Sequence, residues 1–185
     1  MTFVFLQLLL LVLLLLTLGY AFLVFWELVR VARGDVPYVP STRSAIRAVI
    51  AAQVLPKEGT IIDLGAGDGR ALRLLAAAGY RGPLVGYERA PYPWMLGRLL
   101  IALQRAPVQL YRRDFRKATL EEAQGVYVFL LRDVLAELAP TLKQRLRPGT
   151  VVVSAEFPIV GWTPEQTLSA RGVTAKNAGV FVYRV

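Results

Sequence analysis

Asp63, Gly65, Gly67 and Gly69 stand at alternate positions in the stretch Ile61–Arg70, IIDLGAGDGR, and they are the residues of this chain best suited to chemistry. Glycines at that spacing let the backbone turn sharply and leave bare main chain, with Ala66 between them, for a ligand to lie against. Nucleotide-type ligands use such a turn where it opens a helix, because unpaired N–H groups and the helix dipole receive polar or anionic groups. The dinucleotide fingerprint G-x-G-x-x-G is not met, since Arg70 occupies the third glycine's place. A second carboxylate, Glu88, ends a short apolar run, where it can accept both hydroxyls of a ribose. A third, Asp114, follows another run and precedes Phe115. The chain has no Cys and no His, which excludes disulfides, thiolate metal sites, histidine bases and Ser-His-Asp chemistry. Proton handling falls to carboxylates, Tyr, Lys or water.

The elements that must position these residues follow from periodicity. Ile61–Leu64, Pro83–Tyr87, Val108–Tyr111, Val126–Leu130 and Thr150–Ala155 read as strands. Helices are expected over Thr42–Leu55 with Ser41 as N-cap, Arg70–Ala78, Pro93–Gln104 and Val134–Leu146, with Asp133 placed to cap the last. Thr167–Ala170 and Val180–Val185 read as closing strands. Strands alternating with helices predict an α/β, Rossmann-like, doubly wound sheet with helices on both faces. Asp63, Glu88 and Asp114 then all fall at carboxyl ends of strands, where open α/β sheets bind ligands.

Residues 1 to 26 carry no charged side chain and are almost all Leu, Val and Phe. Roughly 20 such residues in a helix cross a hydrocarbon core of about 30 Å. The start lacks the basic residues, and the run's end lacks the small-residue cleavage site, of a secretory signal. One transmembrane helix is expected, and Arg30, Arg33, Arg43 and Arg47 behind it place the C-terminal side in the cytoplasm. The division is then an anchor over 1–31, a connector and leading helix over 32–58, and a ligand-binding domain over 59–185. With 18 Arg, 4 Lys and a net charge of +9, the surface suits an anionic membrane face; nucleic acid is the less favoured partner.

The pattern D-x-G-x-G-x-G of residues 63–69, with acidic residues after the second and third strands, resembles the class I S-adenosylmethionine (SAM) methyltransferases, whose sheet has seven strands. The resemblance implies SAM as cofactor, bound by Asp63, Gly65, Ala66, Gly67, Gly69 and Glu88, with Asp114 facing the adenine amino group and Phe115 its ring. A narrower likeness rests on Tyr38-Val39-Pro40-Ser41, Val85-Gly86-Tyr87-Glu88, Arg113-Asp114-Phe115 and Phe157-Pro158 with Trp162-Thr163-Pro164. In this order they are similar to the small membrane-anchored protein-lysine methyltransferases that include the ATP synthase c-subunit enzyme and its prokaryotic relatives. That likeness implies a lysine acceptor on a membrane protein and a role for Tyr38 in shaping the active site. Leu130-Leu131-Arg132-Asp133 stands where many amino-methylating enzymes carry D/N-P-P-Y/F, which disfavours nucleic-acid and glutamine acceptors. Asp133 and Glu156, after the fourth and fifth strands, are the candidate proton acceptors, and Tyr38 and Trp162 the candidate walls of an aromatic channel. A lipid or quinone methyltransferase and a non-catalytic SAM-binding module remain the alternatives.

Overall fold

A computed structural model describes residues 2–32, 42–169 and 179–185. The chain divides into two compact units, Met1–Pro37 and Tyr38–Val185. The first contains the helix α1 (Thr2–Ala32). Its segment Phe3–Trp26, 24 residues of mean hydropathy 2.9, is long and apolar enough to cross a membrane. The Thr17 hydroxyl within it donates back to the carbonyls of Leu13 and Leu14 at 3.0 and 2.8 Å. Within hydrocarbon such a group has no other partner.

The second unit is a seven-stranded sheet. Its strands are β1 (Ile61–Leu64), β2 (Leu84–Glu88), β3 (Val108–Arg112), β4 (Gly125–Val128), β5 (Val151–Ala155), β6 (Gln166–Leu168) and β7 (Val180–Arg184). They lie in the order β3-β2-β1-β4-β5-β7-β6. Neighbours are parallel from β3 to β5, while β7 runs antiparallel to both β5 and β6. The helices are α2 (Arg43–Ala52), α3 (Arg70–Ala77), α4 (Pro91–Gln104) and α5 (Arg132–Arg145).

Successive strand residues point to opposite faces, so each strand feeds two cores. Ile61, Val108, Leu110, Val151 and Val153 pack with Ile46 and Val49 of α2, Leu72 and Leu75 of α3, and Ile101 of α4. Ile62, Leu64, Val126, Val128 and Val152 pack on the other side with Leu135, Leu138 and Leu142 of α5. Covering on both faces explains why β1, β4 and β5 are apolar along nearly their whole length rather than alternating. Strand order reverses at β1, whose neighbours are β2 on one side and β4 on the other. The crevice outside the carboxyl ends of β1 and β4 is therefore the topological switch point, where such sheets take ligands.

Several boundaries differ from expectation for identifiable reasons. β4 stops at Val128 although the apolar run continues, because Leu130 turns in to lie beneath the loop after β1. α5 starts at Arg132 with Leu131 at the cap and no capping side-chain bond, so Asp133 sits in the first turn rather than at the N-cap. Thr42 caps α2, accepting from the Ala45 N–H at 3.4 Å; Ser41 lies outside the described residues.

Candidate active site at the switch point

The loop Gly65–Gly69 leaves β1 and opens α3. Gly65, Gly67 and Gly69 have φ of 84°, 57° and 71°, left-handed backbone that L side chains adopt only with strain. At Gly65 space forbids a side chain as well, since a Cβ would stand 2.9 Å from Leu130 Cδ2. The Gly65 and Ala66 N–H groups both donate to the Tyr87 carbonyl at 3.0 Å, which ties the loop to the end of β2. Asp68, 4% exposed, accepts from the Arg70 N–H at 3.0 Å and pairs with the Arg73 and Arg70 guanidiniums at 3.3 and 3.7 Å. It does the work of a helix cap that Gly69 cannot. α4 closes over the loop at Gly97, where a Cβ would lie 2.9 Å from the Asp68 backbone.

Glu88 completes the cradle. Its Oε2 accepts from the Gly67 N–H at 2.9 Å and its Oε1 from the Ala90 N–H at 2.6 Å. A carboxylate has about four acceptor positions, and these two donors fix its orientation at the end of β2. Asp114 caps a 3-10 turn, Phe115–Lys117, by accepting from the Arg116 N–H at 2.9 Å. The Arg89 and Arg116 guanidiniums lie 3.8 and 3.7 Å from the same carboxylate. The Phe115 ring packs into the α5-side core with the Arg116 guanidinium 5.2 Å above it. Arg116 also binds Glu137 at 3.0 Å, so that part of the basic cluster is internally paired.

Asp63 is buried on the α3 side of the sheet, level with Gly86 of β2 and Tyr127 of β4. Burial pushes its carboxyl well above the usual range, and the nearby charges of Glu88 and Asp68 push it the same way. Two arginines pair with Asp68, while Asp63 and Glu88 repel one another, and a cationic ligand group beside them would relieve that repulsion. Bare turning backbone, a ribose-type carboxylate and a seat for a cation fit SAM, which carries both a sulfonium and an ammonium.

After β5 the chain turns at Glu156, whose φ of 70° is left-handed although it is not glycine. Its N–H donates to the Gly179 carbonyl at 2.8 Å, which holds this turn against the start of β7. Burial, the one cause acting on it, raises the Glu156 carboxyl above its ordinary value. The Arg132 guanidinium lies 5.7 Å from the Phe157 ring, bringing the first turn of α5, with exposed Asp133, to the Glu156–Phe157 turn. Trp162 is edge-on to Tyr183 at 5.7 Å and half-buried against the α5-side core. Tyr38 lies outside the described residues.

Residues 63–166, from the first carboxylate of the loop through the turn after β5, match the ANTKMT methyltransferase domain. The chain belongs to this methyltransferase family. Its cofactor is accordingly SAM, and its fold is that of the class I enzymes. The chain is 35% identical over 136 residues to the mouse adenine nucleotide translocase lysine N-methyltransferase, covering 71% of this chain and 58% of that one. It therefore spans less than two thirds of that relative. A protein-lysine N-methyltransferase from Saccharolobus islandicus is 31% identical over 157 residues, covering 80% of this chain and 92% of the relative. Among solved structures, an RNA methyltransferase from Salinibacter ruber in complex with S-adenosyl-L-homocysteine superposes with a TM-score of 0.69. It is 28% identical and covers 80% of this chain and 94% of its own.

Asp68, Leu130 and Gly97 are the parts of the site that motif reasoning passes over. Asp68 carried a readable signal, an acid just before a helix with basic residues two and five positions on. Leu130 and Gly97 carried none, since their roles come from contacts made across the fold.

Proposed function

We propose that this protein is a membrane-anchored methyltransferase that modifies a lysine side chain on a membrane protein. The observation that carries the reading is the likeness to the Saccharolobus islandicus protein-lysine methyltransferase, which extends over nearly the whole of that relative. The apolar helix α1 and the basic residues behind it supply the anchor and put the site on the cytoplasmic face.

Bound SAM supplies a methyl group already activated on a sulfonium. The loop 65–69 and Glu88 fix the ribose end, Asp63 faces the cationic end, and Asp114 and Phe115 frame the adenine. What remains for the chain is to deliver an unprotonated amine. A lysine ammonium has an ordinary pKa of about 10.4, and entry into a low-dielectric crevice lowers it. Glu156, with its carboxyl raised above its ordinary value by burial, is the proposed proton acceptor, directly or through water. Asp133 is the alternative acceptor at the same end of the sheet, and Tyr38 is proposed to line the lysine's approach.

The test incubates full-length protein with membranes from a strain lacking its gene and with methyl-labelled SAM, using Glu88→Ala as the inactive control. Label on lysine of a membrane protein, absent with the variant, is the expected result. Label only in the lipid extract would replace the lysine acceptor with a lipid or quinone. The RNA acceptor named for the Salinibacter ruber neighbour gives the third fraction to score, and label there alone would overturn the protein reading.

A further inference from the structure

Outside α1, seven large apolar side chains are exposed among the described residues, and four of them stand on α4. Tyr92, Met95, Leu99 and Leu103 are 50, 62, 56 and 71% exposed. Their spacing of three, four and four residues sets them on one stripe of the helix. The opposite stripe, Pro93, Gly97 and Ile101, is buried against the sheet and the loop after β1. The Trp94 indole N–H donates to the Leu110 carbonyl at 3.1 Å and pins the helix in that orientation. A helix apolar on both faces, with one face uncovered, needs a second apolar environment.

Charge identifies it. From Arg89 to Arg113 the chain holds five arginines, Arg89, Arg98, Arg105, Arg112 and Arg113, and no acidic residue. All five are exposed. Arg98 and Arg105 lie about a quarter-turn or more from the middle of the apolar stripe, where long stems can run along the stripe's flank and lift their charges to phosphate level. Arg89 is 3.8 Å from Asp114, but α4 itself carries no carboxylate, and an apolar helix face bordered by arginines is complementary to an anionic lipid surface. A second copy of the chain would set these arginines against one another.

We propose that α4 is a second, peripheral membrane contact, lying in the interface of an anionic bilayer with Tyr92, Met95, Leu99 and Leu103 among the acyl chains. This rests on the membrane-anchored reading and deepens it. The Ala90 N–H that caps the start of α4 is bonded to Glu88, so docking the helix brings the ribose end of the cofactor site to the bilayer surface. A lysine emerging at that surface would then meet the site without the domain having to search for it.

The absence of cysteine makes the test direct. Single variants Met95→Cys, Leu99→Cys and Leu103→Cys of the full chain are spin-labelled in nanodiscs of phosphatidylcholine and phosphatidylglycerol. Leu13→Cys in α1 and Glu137→Cys on α5, the opposite face of the sheet, serve as references. At 95, 99 and 103, collisions with oxygen should exceed those with a water-soluble nickel chelate, as at 13, with the reverse at 137. Neutral nanodiscs should weaken the effect at 95, 99 and 103 and leave position 13 unchanged. Aqueous values at 95, 99 and 103 with lipid values at 13 would overturn the α4 contact and leave the anchor standing. Aqueous values at 13 with lipid values on α4 would overturn the anchor alone. Shielding from both reagents, or dipolar broadening lost on dilution with unlabelled protein, would overturn the proposal in favour of a protein partner or a second copy.

Discussion

Replacing Glu88 by Gln tests the site most sharply, because the geometry separates its two duties. The carboxylate holds the Gly67 N–H at 2.9 Å and the Ala90 N–H at 2.6 Å, and the proposed ribose would draw on its further acceptor capacity. Glutamine keeps the shape but offers one acceptor oxygen and an NH2 that cannot accept. Whichever way the amide turns, the Gly67 or the Ala90 N–H meets another donor, and the ribose loses an acceptor. Hydrogen bonds to a charged acceptor contribute about 1.5–3 kcal/mol each, and a ribose places two there. Losing one and weakening the other costs SAM binding about 2–4 kcal/mol, roughly 30- to 1000-fold in Kd. Titration calorimetry with SAM and with S-adenosyl-L-homocysteine should show the same loss, since the ribose is common to both. Circular dichroism and Tm must show the fold intact. A Kd within about threefold of wild type in a folded variant would refute the assignment of Glu88 to the ribose.

Gly65→Ala should cost stability by roughly 1–2 kcal/mol from left-handed strain, with a further cost for displacing Leu130. It should also abolish measurable SAM binding; a normal Tm and Kd would show that the loop adopts another conformation. For Asp63, the folded carboxyl lies above its ordinary 3.8, so the folded state binds more protons than the unfolded one. Stability therefore falls as pH rises from about that value through the raised folded pKa. Asp63→Asn should remove this slope and raise Tm at neutral pH while weakening SAM binding, and an unchanged Tm–pH profile would refute the raised carboxyl. SAM binding near the raised pKa should also release a proton, read as a buffer-dependent calorimetric enthalpy. Glu156→Gln should lower kcat about 100-fold with SAM Kd preserved, and should flatten the acid limb of the kcat profile. Equal loss of kcat and of SAM affinity would mean that the turn after β5 is structural.

What the sequence discloses and what it hides divide along contact range. The strand–loop–helix unit from Ile61 to Ala77 is legible because apolar periodicity, alternate glycines and the acid before them are local signals. Glu88 and Asp114 are legible as acids at strand ends. The bond from Glu88 to Gly67 is not, because it joins residues 21 apart and exists only once β2 lies beside β1. The apolar run Val126–Leu130 looks like one strand, and only the packing of Leu130 beneath Gly65 reveals that the strand ends earlier. Asp133 satisfies every local rule for an N-cap, but α5 begins one residue ahead of it. The apolar residues of α4 look like core; which of them face outward depends on where Gly97 meets the loop.

β7 lies between β5 and β6, although it follows both in the chain. During synthesis, therefore, Val151–Ala155 offers an unsatisfied strand edge until residues 180–184 have left the ribosome. Among the described residues β6 pairs only with β7, so it too must wait. The half of the sheet that binds cofactor can assemble earlier, but the sheet closes only when β7 pairs with both β5 and β6. A chain paused before β7 is free to pair would be able to begin folding and prone to join edges with a neighbour, so the danger window for aggregation lies between the emergence of β5 and that of β7.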